Sequence, residues 1–411
     1  MIRGRNVILG VTGGIAAYKA AELLRLMVKE GAKVWTVMTR SAAEFVRPLT
    51  FHALSGNPVR LELFGPEQTG AIEHIALADK ADVVVVAPAT ANIIAKMAHG
   101  IADDMLTTTL LAVRCPVVVC PAMNVNMYGH PAVQGNLEVL RKRGVTLVEP
   151  DQGELACGWE GKGRLPDPER ILEALRGALS PHDLEGEHIL VTAGPTWEAM
   201  DPVRFISNRS SGKMGFALAL VAKRRGAEVT LVSGPTHLQA PDGVRFVPVT
   251  SAQEMYDAVM GHLEQATVVI KAAAVSDFRP ARVEADKVKK DGVESLFIPL
   301  EKTPDILSAV GANKGGRLLV GFAAETRDIL SYAQEKLRKK NLDMIVANDL
   351  TRPGAGFQVD TNMVTLLHRD GTVEELPQMS KEDVAAAILD RIVRYRGGLP
   401  KRGRDREAKG N

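Results

Sequence analysis

Short runs of β-branched and apolar residues alternate with helix-forming stretches along most of this chain, and the alternation restricts the possible folds more than any other feature. Residues 7–11 form the first apolar run, residues 16–29 a helical stretch, and residues 33–38 the second run. Short strands separated by helices are typical of parallel sheets that are covered by helices on both faces. We predict further strands at residues 82–87, 115–120, 188–192, 227–233, 267–272, 317–322 and 343–347, and a helix at 216–225.

The series of strands begins again near residue 188. Residues 180–183, Ser-Pro-His-Asp, interrupt the pattern just before it. A chain of 411 residues is long enough for two domains. We therefore predict two tandem Rossmann-like α/β domains, each a three-layer structure with a mostly parallel sheet, at residues 1–178 and 186–396. The charged segment 397–411, which contains Gly-Gly and Pro, is predicted to be a disordered tail.

The composition argues against several classes of protein. The formal net charge is only +2, from 51 Lys and Arg and 49 Asp and Glu, which gives no overall attraction to nucleic acid. Three cysteines and no secretory leader indicate a cytoplasmic protein without a disulfide framework. We find no stretch that could span a membrane. We therefore expect neither a nucleic acid nor a membrane as partner.

In the first half, residues suited to ligand binding follow each predicted strand. Glycines that open a helix suit an anion at the helix N-terminus, although a tight turn is an alternative because the third Gly of the dinucleotide fingerprint is missing. A Pro-flanked Asn after the fourth strand is placed where open α/β sheets bind ligands. These residues are Gly13, Gly14 and Ile15 after the first strand, Ser41 after the second, Thr90 after the third, and Met123 and Asn124 after the fourth.

Two further residues of the first half could carry chemistry. His74 lies between apolar residues, where a histidine is more often structural than catalytic. Cys157 lies among glycines in Ala-Cys-Gly-Trp-Glu-Gly-Lys-Gly, and we predict that it is exposed and reactive. Cys115 and Cys120 flank a predicted buried strand, and we expect both in the core.

These motifs, in this order, resemble the flavin-binding decarboxylases that act on 4′-phosphopantothenoylcysteine. The resemblance implies that FMN oxidises the cysteinyl thiol, that the carboxylate then leaves as carbon dioxide, and that the electrons return to the product. It also implies that His74 is the base, that Asn124 orients the substrate carboxylate, and that Cys157 donates a proton. The FMN-binding residues would be Gly13, Gly14, Ile15, Ser41, Thr90 and Met123.

The second half carries polar clusters of a different kind. Arg204 precedes the motif Ser-Asn-Arg-Ser-Ser-Gly-Lys over residues 207–213, which suits a phosphate or a carboxylate but lacks the order of a P-loop. Other clusters follow strands or lie just beyond them, and we expect them to converge on one crevice. Their members are Ala273, Asp277, Lys287, Lys289 and Phe322.

This half resembles the bacterial phosphopantothenate–cysteine ligases that use CTP. The resemblance implies that 4′-phosphopantothenate and CTP form an acyl-cytidylate, which L-cysteine then converts to the amide. Lys287 would neutralise phosphate charge and Asn208 would hold the acyl-cytidylate, with Arg204 nearby. Asp277 would contact the nucleotide or its Mg²⁺ (or Mn²⁺), while the metal ligands stay unidentified. Ala273, Lys289 and Phe322 would bind substrate.

We therefore predict a bifunctional coenzyme A biosynthesis enzyme. The resemblance further implies a homo-oligomer, a dodecamer of trimeric decarboxylase and dimeric ligase units. One alternative is a non-catalytic or regulatory flavoprotein with a nucleotide-binding second domain. A nicotinamide oxidoreductase is a weaker alternative, because the fingerprint is incomplete and no clear acidic ribose-binding residue follows the second strand.

Overall fold

The computed structural model describes residues 2–64, 73–154, 158–289, 296–325, 329–349 and 359–397, with only the backbone of residues 324, 325, 329–331 and 349. The chain divides between Ser180 and Pro181 into two compact units. Each unit contains its own sheet and its own buried core.

The first unit alternates strands and helices. Its described strands are β1 Asn6–Val11, β2 Lys33–Met38, β3 Val83–Ala89, β4 Val117–Pro121, β5 Thr146–Leu147, β6 Asp151–Glu154 and β7 Glu160–Arg164. Its described helices are α1 Ala17–Lys29, α2 Arg40–Ala43, α3 Pro48–Ser55, α4 Glu73–Lys80, α5 Ala91–His99, α6 Met105–Ala112, α7 Val125–Gly129, α8 Pro131–Lys142 and α9 Pro168–Ala178.

Five of these strands form a parallel sheet in the order β2-β1-β3-β4-β5. Because side chains alternate along a strand, Val7 and Leu9 of β1 enter one core with α1 and α9, whereas Ile8 enters the other with α5 and α8. β3 is buried along its whole length, as expected of a central strand covered on both faces. β6 and β7 form a separate antiparallel pair.

The second unit has a larger sheet. Its described strands are β8 His188–Ala193, β9 Trp197–Ala199, β10 Phe205–Ser207, β11 Glu228–Ser233, β12 Arg245–Pro248, β13 Val268–Lys271, β14 Phe278–Pro280, β15 Leu300–Lys302, β16 Leu318–Glu325, β17 Met344–Asp349, β18 Thr361–Asn362, β19 Val364–His368, β20 Val373–Glu375 and β21 Met379–Ser380. Its described helices are α10 Lys213–Arg224, α11 Ala252–His262, α12 Ile306–Ala312, α13 Ile329–Lys339 and α14 Lys381–Gly397.

Eight strands form this sheet, in the order β12-β11-β8-β13-β16-β17-β19-β20. The first six run parallel, and β19 and β20 continue the sheet in antiparallel fashion. Ile189 and Val191 of β8 pack with residues of α10 and α14 on one face, while Leu190 packs with residues of α11 and α12 on the other. The predicted α/β class with mostly parallel sheets is confirmed.

The structure differs from the sequence prediction in detail. The helix predicted at 216–225 begins three residues earlier, at Lys213, and ends at Arg224. Cys120 is buried as expected, but Cys115 is only partly buried. The predicted disordered tail lies outside the described residues, except that Gly397 is the last residue of α14.

Close backbone packing joins the ends of β8 and β11. A Cβ at Gly234, just after β11, would lie 1.6 Å from the Pro195 carbonyl oxygen. The Gly234 N–H donates to the Ala193 carbonyl at 3.0 Å, so the loop cannot move away without losing this bond. Only glycine fits at this position.

We predict that Gly234→Ala lowers the free energy of unfolding by about 1–3 kcal/mol, the usual cost of overpacking. The control is Gly261→Ala in α11, where a Cβ meets nothing within 4 Å. That change should stabilise the helix by about 0.5–1 kcal/mol. Urea unfolding of both variants measures the difference, and equal midpoints would show that the loop yields freely.

Candidate functional site

In the first unit, loops from three neighbouring strands meet at the carboxyl edge of the sheet. A Cβ on Gly13, in the loop after β1, would lie 2.3 Å from the Ser41 Cβ, just after β2. A Cβ on Gly14 would lie 3.7 Å from the Thr90 Cγ2, at the end of β3. The structure therefore brings together four of the predicted cofactor-binding residues. Open α/β sheets bind ligands at the point where strand order reverses, which here is between β1 and β3.

Thr12 fixes this junction. Its buried hydroxyl donates to the Pro88 carbonyl at 2.7 Å and accepts from the Thr90 N–H at 3.1 Å. Thr90 also caps α5 through a hydrogen bond from the Ile93 N–H. The exposed Ile15, with 62% of its surface accessible, continues the same loop. The edge thus combines close-approaching backbone with an exposed apolar side chain, a combination that fits a flat aromatic ligand carrying a phosphate.

The loop after β4 carries Met123 and Asn124. Asn124 caps α7, where its Oδ1 accepts from the Asn126 N–H at 2.8 Å. The Met123 N–H donates to the Gly163 carbonyl of β7 at 3.0 Å, and a Cβ on Gly161 would meet a methyl of Val125 at 2.8 Å. The β6–β7 pair therefore packs on this loop. Cys157 lies outside the described residues.

His74 lies on a helix and not in one of the loops that follow β1, β2, β3 and β4. It lies in the first turn of α4, is partly buried, and α4 packs against α6. Its role as a base stays a prediction.

The second unit contains a cavity of about 600 Å³. Its lining includes the loop after β13, residues 208–212, 214 and 215 around the start of α10, and residues of α12 and α13. β8 and β13 flank the point where strand order reverses in this sheet. Four predicted residues line the cavity, namely Asn208, Ala273, Asp277 and Phe322.

Asn208 is held by the loop that follows β13. Its Nδ2 donates to the carbonyls of Ala274 and Val275 at 3.1 and 3.2 Å. Two further hydrogen bonds hold the loop after β13. The Ser276 N–H donates to the Thr196 hydroxyl, and the Thr303 hydroxyl donates to the Ser276 carbonyl. The Asn208 amide is thus fixed at the cavity wall with both N–H groups directed at backbone acceptors.

Arg204, Lys287 and Lys289 are not among the residues that line the cavity. The Arg204 guanidinium donates to the Asp201 carboxylate at 2.6 and 2.9 Å and to the Val288 carbonyl at 2.7 Å. The hydrogen bonds from Arg204 hold the pKa of the Asp201 carboxyl well below its usual range. Arg204 therefore positions the segment that carries the two exposed lysines, and its direct contact with substrate stays a prediction.

The cavity is strongly basic. Among the described residues, six cationic side chains and two carboxylates line it, namely Arg209, Lys271, Lys302, Lys336, Lys340, Lys381, Asp277 and Asp305. Lys340 pairs with Asp305 at 2.9 Å. Although burial opposes the shift, hydrogen bonds from Lys340 and Ser308 lower the pKa of Asp305 to about 2. This excess of positive charge favours a polyanionic ligand.

Sequence reasoning missed most of these cations. Lys336 and Lys340 are four residues apart, so that both can lie on one face of a helix, but nothing in the sequence shows which face meets the sheet edge. Lys271 ends an apolar run, which is a weak signal of a strand-end functional group.

In the described parts of the chain no group of three or more His, Cys, Asp and Glu side chains could hold a metal ion. No described helix is both long and apolar enough to cross a bilayer.

Family models match both units of the chain. The family model "Flavoprotein" matches residues 1–180, and the model "DNA/pantothenate metabolism flavoprotein C-terminal domain" matches residues 184–395. The coenzyme A biosynthesis bifunctional protein CoaBC of Bacillus subtilis (strain 168) is 52% identical over 397 residues, covering 95% of this chain and 97% of that protein. The chain belongs to the family of coenzyme A biosynthesis bifunctional proteins. The predicted family is thereby confirmed.

The chain is also similar to a second curated protein and to parts of two solved structures. The CoaBC protein of Escherichia coli (strain K12) is 47% identical over 396 residues, covering 95% of this chain and 97% of that protein. A crystal structure of the C-terminal domain of a CoaBC protein is 48% identical, covers 53% of this chain and 100% of its own, and has a TM-score of 0.47. The FMN-dependent cysteine decarboxylase SpaF is 33% identical, covers 43% and 99%, and has a TM-score of 0.37.

We predict that Gly13→Ala weakens flavin binding about tenfold, because the added methyl enters the space of Ser41. Tenfold corresponds to about 1.4 kcal/mol, which lies within the usual overpacking cost of about 1–3 kcal/mol. The control is Gly135→Ala within α8, where a Cβ meets nothing within 4 Å. The visible absorbance of bound flavin, followed during a titration with FMN, measures the affinity. Parental affinity in the Gly13 variant would contradict the placement of the flavin at this loop.

Proposed function

We propose that the second unit ligates L-cysteine to 4′-phosphopantothenate with CTP, and that the first unit decarboxylates the resulting 4′-phosphopantothenoylcysteine to 4′-phosphopantetheine with FMN. The observation that carries the proposal is the basic cavity at the strand-order reversal of the second sheet, in a chain of this family. A nucleoside triphosphate and a phosphorylated carboxylic acid are both polyanions, which such a cavity attracts and orients.

In the first step of ligation, the phosphopantothenate carboxylate attacks the α-phosphate of CTP and pyrophosphate leaves. Two anions must approach each other, so the barrier falls when fixed cations neutralise them. Lys336 on α13, Lys340 just after α13 and Arg209 beside α10 supply such cations in the cavity. Lys287 lies on the segment that Arg204 holds, and it is proposed to neutralise the negative charge of the phosphates. Mg²⁺, or Mn²⁺, is proposed to accompany the triphosphate, with Asp277 as one carboxylate near it.

In the second step, the cysteine amine attacks the acyl group of the acyl-cytidylate and CMP leaves. Asn208 is proposed to hold this intermediate. Because its Nδ2 is occupied by two backbone carbonyls, the Oδ1 is the atom that remains to meet the reactants. An Asp at this position would turn a carboxylate oxygen towards carbonyl acceptors, which repel it.

In the first unit, the loops at the sheet edge are proposed to hold FMN through Gly13, Gly14, Ile15, Ser41, Thr90 and Met123. The tight contact of Gly13 with Ser41 and the exposed Ile15 fit a phosphate and a ring system. Bound FMN supplies the reversible two-electron oxidation that makes the loss of carbon dioxide possible. Asn124 is proposed to orient the substrate carboxylate, His74 to accept a proton, and Cys157 to donate one.

The two activities are proposed to reside in residues 1–178 and 186–396, and the enzyme to act in the cytoplasm. The amide made by the second unit is the substrate of the first, so one chain keeps both sites at high relative concentration. Exposed apolar side chains such as Phe45, Leu49 and Leu111 support a homo-oligomer, proposed to be a dodecamer.

We predict that Asn208→Asp slows amide formation about 10²-fold, the usual loss when a positioned polar group is removed, while pyrophosphate release continues. The acyl-cytidylate should therefore accumulate, and rapid quenching with mass spectrometry detects it. The control is Asn313→Asp, because Asn313 also donates its amide to a backbone carbonyl but does not line the cavity. Amide formation at the parental rate would refute this role, and equal loss of both steps would show that Asn208 only maintains the loop.

A further inference from the structure

Lys271 is a cavity-lining residue to which the proposed reaction assigns no task. It is the last residue of β13, a central strand, and it is in register with Thr192 of β8 and Gly321 of β16. Its side chain therefore leaves the sheet at the strand-order reversal, where it lines the same cavity as Asn208.

The Lys271 ammonium differs from its neighbours in lacking a partner. Lys340 pairs with Asp305, and Lys336 donates to the Phe322 carbonyl at 3.1 Å. Within the described ranges, no hydrogen bond or ion pair involves Lys271, and it is not among the residues with unprinted contacts. A cation that is partly removed from water without a counter-ion is unfavourable unless an anion arrives.

The charged groups around Lys271 come from three elements. Lys336 of α13 and Lys340 just after that helix act on it as like charges, and Asp305 before α12 and Asp277 after β13 oppose them. Burial, followed by the two lysines, lowers the pKa of Lys271 to about 8, compared with its ordinary value of 10.5. Lys271 therefore stays mostly charged at pH 7 but loses its proton at a lower pH than an exposed lysine does.

We propose that Lys271 joins Lys336 and Lys340 in binding the terminal phosphates of the nucleotide, taking up a proton when the polyphosphate binds and losing it when pyrophosphate leaves. The inference rests on the proposed function, in which the cavity receives a nucleoside triphosphate. The phosphate oxygens accept hydrogen bonds from the ammonium and cancel the repulsion from the two lysines. The bound state thus favours the charged form of Lys271.

Proton uptake by Lys271 makes the affinity for phosphates depend on pH. When pyrophosphate leaves, Lys271 loses its counter-ion and returns its proton to water, so the cavity carries one positive charge less. Above the free-state pKa, binding must be accompanied by proton uptake, and affinity therefore falls as pH rises.

Titration calorimetry with pyrophosphate as the probe tests this inference. At pH 9, in two buffers of different ionisation enthalpy, the parent should take up close to one proton more than the Lys271→Arg variant, whose guanidinium stays charged throughout. The variant comparison also removes the proton exchange of pyrophosphate itself. Lys271→Met, which keeps the chain length without the charge, should bind pyrophosphate at least tenfold more weakly at pH 7.

Equal proton uptake in the parent and Lys271→Arg, or parental affinity in Lys271→Met, would overturn the inference. Because the calorimetry requires no turnover, failure of the proposed function gives a different result: the parent would bind pyrophosphate with proton uptake and yet form no amide from CTP.

Discussion

Both candidate sites depend on the reversal of strand order within a parallel sheet. At β1 and β3 in the first unit, and at β8 and β13 in the second, successive crossovers leave on opposite sides, so that the loops diverge and leave a crevice. Every parallel strand directs its carboxyl end to the same edge, which is why residues far apart in sequence meet there. The core packing on both faces of each sheet keeps that edge fixed.

Close backbone contact then gives each crevice its shape. In the first unit, Gly13 lies against Ser41 and the Thr12 hydroxyl joins the loops after β1 and β3. In the second unit, Gly234 lies against Pro195 and Asn208 is bonded to the loop after β13. The two edges differ in chemistry: the first exposes the apolar side chain of Ile15, whereas the second is lined by cations.

Local pattern predicted the parallel strands well, because runs such as Val83–Val86 are long, β-branched and buried on both faces. Motifs also placed Asn208 and Asp277 at the cavity. Pattern did not reveal Lys336 and Lys340, because the docking of α13 on the sheet edge is a tertiary event. For the same reason, the interpretation of Arg204 as a substrate ligand did not foresee its ion pair with the buried Asp201. The small antiparallel pairs β9–β10 and β14–β15 were also missed, since strands of three residues give little periodic signal.

The most direct test of the proposed function is to identify the products that the purified protein forms from 4′-phosphopantothenate, L-cysteine, magnesium and CTP. A parallel reaction contains ATP in place of CTP. We predict 4′-phosphopantetheine together with CMP, and little product with ATP. Accumulation of 4′-phosphopantothenoylcysteine would contradict the decarboxylase assignment of the first unit. Absence of the amide with either nucleotide would contradict the claim that the basic cavity is a ligation site.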